Sequence, residues 1–212
     1  SRRVSRTVWS RIGMTLLAVA ALGLASCSKG GGGTSAGALP DDMTLGNPAA
    51  KVTVQEYASV GCPICARWYK EVYPAFKAKY IDTGRIHFVS KEMLVGGGVE
   101  VQVAASGFLM ARCAGKDKYF AVVDSLYKNQ EQAFQDPRGT LVTIARSVGM
   151  TDDQFEKCVS DDKALQALND RVERHNKEGV DSTPTFVVNG QKMEPGFHTL
   201  EEIDAMIAQA GG

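Results

Sequence analysis

After Gly96-Gly97-Gly98 the chain keeps helical periodicity for about 80 residues, and strand character survives only on either side of that block. Upstream, Val52 to Tyr57 is rich in β-branched and aromatic residues and follows a breaker at Pro48, which predicts a strand. Cys62 to about Tyr80 reads as a helix kinked at Pro74, with Trp68, Val72, Ala75, Phe76 and Lys79 near one stripe. Thr83-Gly84 ends it, and Arg85 to Ser90 alternates as a second strand. Downstream, Thr185 to Val188 is a strand. Asn189-Gly190 is the strongest short hairpin signal, with Gln191 to Glu194 as the partner strand. Thr199-Leu200-Glu201-Glu202 is a capping box opening a last helix with Ile203, Met206 and Ile207 on its apolar face. The order is therefore β-α-β, a helical block, then β-β-α.

Within the block, Ala104, Phe108 and Ala111 belong to one helix, and Tyr119, Val123 and Leu126 to the next. Thr140 to Val148 forms a short third. Thr151-Asp152-Asp153-Gln154 is a capping box for a fourth, and Asp162 to Lys177 is a charged fifth with a mostly solvated face.

The chemistry concentrates in Val60-Gly61-Cys62-Pro63-Ile64-Cys65. A strand that feeds directly into Cys62 and a helix puts this sulfur at the helix N-terminus, where unpaired N–H groups and the positive dipole end stabilise a thiolate. Pro63 suits the first helical position, where a missing N–H costs nothing. Cys65, one turn on, is expected to be more buried and to act as the resolving thiol. A Cys62 pKa near ~5 would stabilise the reduced form by about 2.7 kcal/mol at neutral pH. That is about 60 mV of oxidising power, against about 150 mV between oxidising and reducing members of this chemistry. Zinc needs four ligands and this pair supplies two, while His87, His175 and His198 are single in spacing, so no metal site is expected. No cofactor is implied.

Five cysteines stand at 27, 62, 65, 113 and 158. Arg2, Arg3, Arg6 and Arg11 precede an apolar run from Ile12 to Leu24, which reads as an export signal. The run ends in Leu24-Ala25-Ser26-Cys27, similar to the bacterial lipobox, whose cysteine carries a diacylglycerol; ordinary cleavage nearby is the alternative. The expected organisation is a signal peptide over 1–27, a Gly/Ser-rich linker over 28–40 and a folded domain over 41–212. Without the signal's four arginines, 20 of the 24 basic residues remain against 24 acidic ones, which gives no basic excess for nucleic acid. With Cys27 lipidated, Cys113 and Cys158 are left either to pair with each other in an oxidising compartment or to be two inert buried thiols.

Taken together, "VTVQEYASVGCPICARWY", "RIHFVS" after "YIDTG", the helical block and "GVDSTPTFVVNG" resemble the DsbA-like branch of the thioredoxin superfamily from about Leu45 to Ala210. The resemblance implies an α/β thioredoxin fold with an all-helical insertion at about 97–178. It makes Cys62 the attacking cysteine and Cys65 its partner. It makes Thr183-Pro184 the cis-proline dipeptide that meets an extended client segment, and Cys113 and Cys158 a structural disulfide. Glu56 falls where the family places a buried acid that shuttles the Cys65 proton, although with Gln55 beside it alternation leaves open which of the two faces inward. Ile64 departs from the strongly oxidising relatives, which carry histidine there.

The expected activity is thiol–disulfide exchange on cysteines of extracytoplasmic proteins. The partners would be a membrane redox protein (DsbB-like, or a membrane reductase) and membrane lipid through Cys27, and the location the periplasm. Disulfide formation is the favoured direction, and a reductase or isomerase of the ScsC or DsbC type is the alternative. A non-catalytic binding lipoprotein and a copper chaperone are the readings from other classes.

Overall fold

The computed structural model describes residues 38–212. The expected signal peptide, Cys27 and nearly all of the linker lie outside the described residues.

In chain order the elements are β1 (Met43–Gly46), β2 (Val52–Ala58), α1 (Pro63–Glu71), α2 (Tyr73–Phe76) running into a π-helical turn (Lys77–Ile81), and β3 (Ile86–Glu92). The helical block is α3 (Val99–Cys113), α4 (Tyr119–Lys128), α5 (Gln130–Gln135), α6 (Pro137–Ser147), α7 (Asp152–Val159) and α8 (Asp162–Lys177). The chain closes with β4 (Thr185–Val188), β5 (Gln191–Lys192) and α9 (Leu200–Gln209).

The strands form one sheet in the order β1-β3-β2-β4-β5. β2 and β3 run parallel, joined through α1 and α2, while the pairs β1–β3, β2–β4 and β4–β5 are antiparallel. The helical block thus leaves the sheet after β3 and returns to it at β4. Asn189 and Gly190 take φ of 47° and 81°, the left-handed pair that a tight hairpin needs. β5 pairs over two residues only, shorter than the expected Gln191 to Glu194, although Met193 N–H still reaches Phe186 O at 2.9 Å.

Two large cores meet at α1. One packs Trp68, Phe76 and Ile203 against Val54, Phe88 and Phe186 of the sheet. The other fills the helical block with Phe108, Val122, Leu126, Leu141 and Phe155, and it is continuous with Val60, Cys62 and Cys65. The cysteine pair therefore sits where the insertion joins the sheet.

Several local readings need correction. Of the expected stripe, Trp68, Val72 and Phe76 are buried, but Ala75 and Lys79 are exposed: the helix is interrupted at Val72, just before Pro74, and the π turn advances the register, so Tyr80 and Ile81 turn inward instead. The third helix of the block begins earlier, at Pro137, with the Asp136 carboxylate accepting from Gly139 N–H at 3.1 Å. The solvated face given to 162–177 hides a buried line of Leu168, Arg171 and His175. Thr199 caps α9 by accepting from Glu202 N–H, but the Glu202 carboxylate pairs with His198 and not with the cap N–H, leaving half a capping box.

Candidate active site

β2 delivers the chain to Cys62, which occupies the N-cap of α1 with extended backbone while Pro63 fills the first turn. Its Sγ accepts from Cys65 N–H at 3.4 Å. Both cysteines are free thiols, with Cys62 7% and Cys65 1% exposed.

The loop before Cys62 is gripped from the insertion. A Cβ on Gly61 would lie 2.1 Å from Glu100 O, so only glycine admits the close approach of α3. Gln130 of α5, itself buried, donates to Val60 O at 2.8 Å and to Cys62 O at 3.1 Å. Ser59 completes the turn, its Oγ accepting from Gly61 N–H and its carbonyl from Cys62 N–H. Nothing in the sequence marks Gln130 for this role, because its partners are 68 and 70 residues away.

Across from the sulfurs, the Thr183–Pro184 peptide is cis, and Thr183 O lies 3.9 Å from Cys62 Sγ. Gly196 N–H donates to Pro184 O, pinning the segment after β5 behind this turn. Arg67 of α1 stacks its guanidinium 4.4 Å above the Phe197 ring, and Ile64 stands 49% exposed between the cysteines.

The two sulfurs are electrostatically unequal. The Cys62 thiol is lowered to about 6, first by the hydrogen bond from the Cys65 thiol, against partial desolvation, and then by Thr183 and the N–H groups of Cys65 and Ile64. The helix N–H groups are thus a smaller cause than the partner thiol, and the shift is less than the sequence argument supposed. Cys65 is pushed well above the ordinary thiol range by burial, then by its hydrogen bond to Cys62 and the charge there.

Glu56 and Gln55 are both buried, on opposite faces of β2, which is why alternation leaves the pair undecided. Glu56 lines a cavity of about 20 Å³ together with Tyr69, Tyr73, Phe120 and Tyr127. Burial, and then the Cys62 charge, push its carboxyl up to about 8. Tyr127, wholly buried, responds to the charges of Cys65, Glu56 and Cys62, which places it in the same electrostatic pocket.

Cys113 and Cys158 are joined as a disulfide between the end of α3 and α7, with Cα atoms 6.1 Å apart. The histidines are engaged elsewhere: His175 contacts Glu92 O at 2.9 Å, His198 pairs with Glu202, and His87 lies within β3. Among the described residues no helix is long and apolar enough to cross a membrane.

A sheet with this order, a paired-thiol turn capping its first long helix and a cis-proline turn facing it define a thioredoxin-type dithiol protein. The thioredoxin family model matches residues 38–209, so the chain belongs to the thioredoxin family, and its inserted helices place it with the DsbA-like proteins. Wolbachia pipientis alpha-DsbA1 superposes with a TM-score of 0.72 at 25% identity, covering 82% of this chain and 94% of that one. An inferred protein-disulfide oxidoreductase of Rickettsia bellii is 32% identical over 80% of this chain and 64% of its own length. An inferred disulfide bond formation protein D of Bacillus cereus is 26% identical over 76% of each. The chain spans less than two thirds of the length of the Rickettsia relatives it matches.

Proposed function

We propose that the protein is an exported thiol–disulfide oxidoreductase that passes the Cys62–Cys65 disulfide to cysteines of extracytoplasmic proteins. A client thiolate attacks Cys62, and Cys65 leaves with the electron pair of the broken S–S bond. A second client thiolate then attacks the client sulfur of the mixed disulfide and displaces Cys62 as a thiolate. Client thiols are oxidised and the pair is reduced.

One feature of the reduced site carries this direction: Cys62 is a stabilised thiolate, and the buried Glu56 carboxyl, which feels its charge, is held protonated by burial and that charge. Each element helps one of the two releases. Glu56 supplies a proton to the departing Cys65 sulfur, whose own environment favours the thiol. The stabilised Cys62 thiolate is a good leaving group when the client disulfide closes. Its pKa of about 6 favours the reduced form at pH 7 by about 1.4 kcal/mol, or about 30 mV. Thr183, with its carbonyl next to Cys62 Sγ, presents backbone to an extended client segment by strand-like pairing. Cys113–Cys158 holds the insertion together and stays outside the exchange.

The relative named for disulfide bond formation supports the same direction. Beyond its backbone N–H, Ile64 brings no side-chain donor or charge to the Cys62 sulfur, which favours the reductase or isomerase alternative. Equilibration with glutathione decides between them: a potential near about −120 mV supports disulfide formation, and one near about −200 mV or below supports the alternative. The reading also includes export by residues 1–27 and a lipid on Cys27, with the linker carrying a domain over 41–212 clear of the membrane in the periplasm. Cys27→Ser should then move the protein out of the membrane fraction of cells.

A further inference from the structure

The small cavity that holds Glu56 has a neighbour. A groove of about 560 Å³ opens on the surface between α1, α2 and α4. Tyr69, Tyr73 and Phe120 line both spaces, so these three rings are the partition between solvent and the buried acid. One of them carries a polar link through the wall: Tyr69 O–H donates to Asp124 Oδ1 at 2.5 Å, and Asp124 lines the outer groove. Tyr69 is locked in place by stacking between Tyr73 and Tyr127, with ring centroids 4.5 and 4.7 Å away. The inner cavity's 20 Å³ has room for a single water, which needs about 10–15 Å³.

We propose that Tyr69 and Asp124 are a proton exit connecting Glu56 to solvent through the wall of the outer groove, away from the surface where clients bind. The inference rests on the reading of Glu56 as the proton partner of Cys65. Both residues act through Glu56 and touch neither sulfur, so they are positioning residues of the site. When a mixed disulfide on Cys62 is resolved, Cys65 loses its proton to the Glu56 carboxylate and its thiolate attacks Cys62 Sγ. A new S–S bond forms, the client–Cys62 bond breaks, and the client leaves as a thiolate. Glu56 can accept that proton only after losing the one it holds. That proton moves across the cavity to the Tyr69 oxygen while the Tyr69 O–H passes its own to Asp124, which releases it to solvent. In disulfide formation the same route runs inward and recharges Glu56. The charged groups around the exit are Lys128, which pairs with Asp124 Oδ2 at 2.9 Å, and Lys70 and Lys77 along the groove.

The test is single-turnover reaction of the reduced protein with excess oxidised glutathione at pH 7. Attack by Cys62 depends on glutathione concentration, and resolution by Cys65 does not. Tyr69→Phe and Asp124→Asn should each slow resolution about tenfold or more and raise its solvent deuterium isotope effect, a loss on the scale of removing proton-transfer assistance. Alkylation of Cys62 by iodoacetamide should be unchanged in both. Tyr80→Phe is the matched control, because Tyr80 makes a similar hydrogen bond to Asp204, neither residue lines the Glu56 cavity or the outer groove, and the variant should resolve at the parent rate. Parent-rate resolution in Tyr69→Phe and Asp124→Asn, with Glu56→Gln slow, would overturn the exit and leave the Glu56 role standing. Parent-rate resolution in Glu56→Gln as well would remove both. Equal slowing of attack and resolution would mark the effect as structural and also overturn the exit.

Discussion

Two glutamates lie buried on adjacent strands of the same sheet, and they have opposite surroundings. Glu92, 2% exposed at the end of β3, is met by Arg112 with contacts of 2.7–3.1 Å, by Arg171 at 2.8 Å and by Tyr119 at 3.2 Å. Its backbone carbonyl holds His175 as well. The hub ties the sheet to α3, α4 and α8. Glu56, 7% exposed on β2, is walled by aromatic rings and faces a thiolate. A buried carboxylate with two guanidiniums is a fastener, since removing it strands charge in the interior. A buried carboxyl surrounded by rings and a like charge keeps its proton to high pH and can give it up or take it back. The same residue type serves structure in one place and, in the role proposed for Glu56, proton transfer in the other, and only the neighbours differ.

The largest effect should come from breaking the fastener. Glu92→Gln leaves Arg171 buried without its carboxylate, and a loss of about 3–5 kcal/mol in urea unfolding is expected, with Cys62 reactivity retained in the folded fraction. Glu56→Gln should act with the opposite sign. In the unfolded chain this carboxyl ionises near 4.5, and in the folded chain near 8, so the folded state binds the extra proton between those values. Its stability therefore falls as pH rises through that window, and the substitution should raise stability by up to about 3 kcal/mol at pH 7 and by nothing at pH 4. A matched pair of unfolding curves at the two pH values checks both size and sign. The smallest effect is expected at the grip on the active-site loop. Gln130→Ala removes the donor to Val60 O and Cys62 O, costing about 1–2 kcal/mol and moving the Cys62 titration upward as the cap loosens; the shift is read by alkylation rate against pH.

What the sequence made legible were features whose cause lies within a few residues. Cys62-Pro63 at a helix start, the Thr151–Gln154 capping box and the Asn189-Gly190 turn each carry their own local chemistry, and each forms in the fold. The β-α-β and β-β-α halves follow from local periodicity in the same way. β1 escaped notice because four residues, Met43–Gly46, hold their strand only by pairing with β3. α5 was missed because six residues carry too little periodicity to register. The Glu92 hub was hidden for a different reason: its partners come from 20, 27 and 79 residues away, and on α8 they look like a charged solvated face. Glu56 was visible as a candidate through family resemblance, whereas Tyr69, Asp124 and Gln130, which connect or hold its surroundings, are defined only once distant helices pack together.

The account stands on Cys62 being ionised near neutral pH because Cys65, Thr183 and the first N–H groups of α1 surround its sulfur. Thiolate absorbance of the reduced protein, followed from pH 3 to 10, tests this directly. One thiolate should appear with a midpoint of about 6, vanish in Cys62→Ser and move upward in Cys65→Ser. A first midpoint at the ordinary free-thiol value of about 8.5 would contradict it.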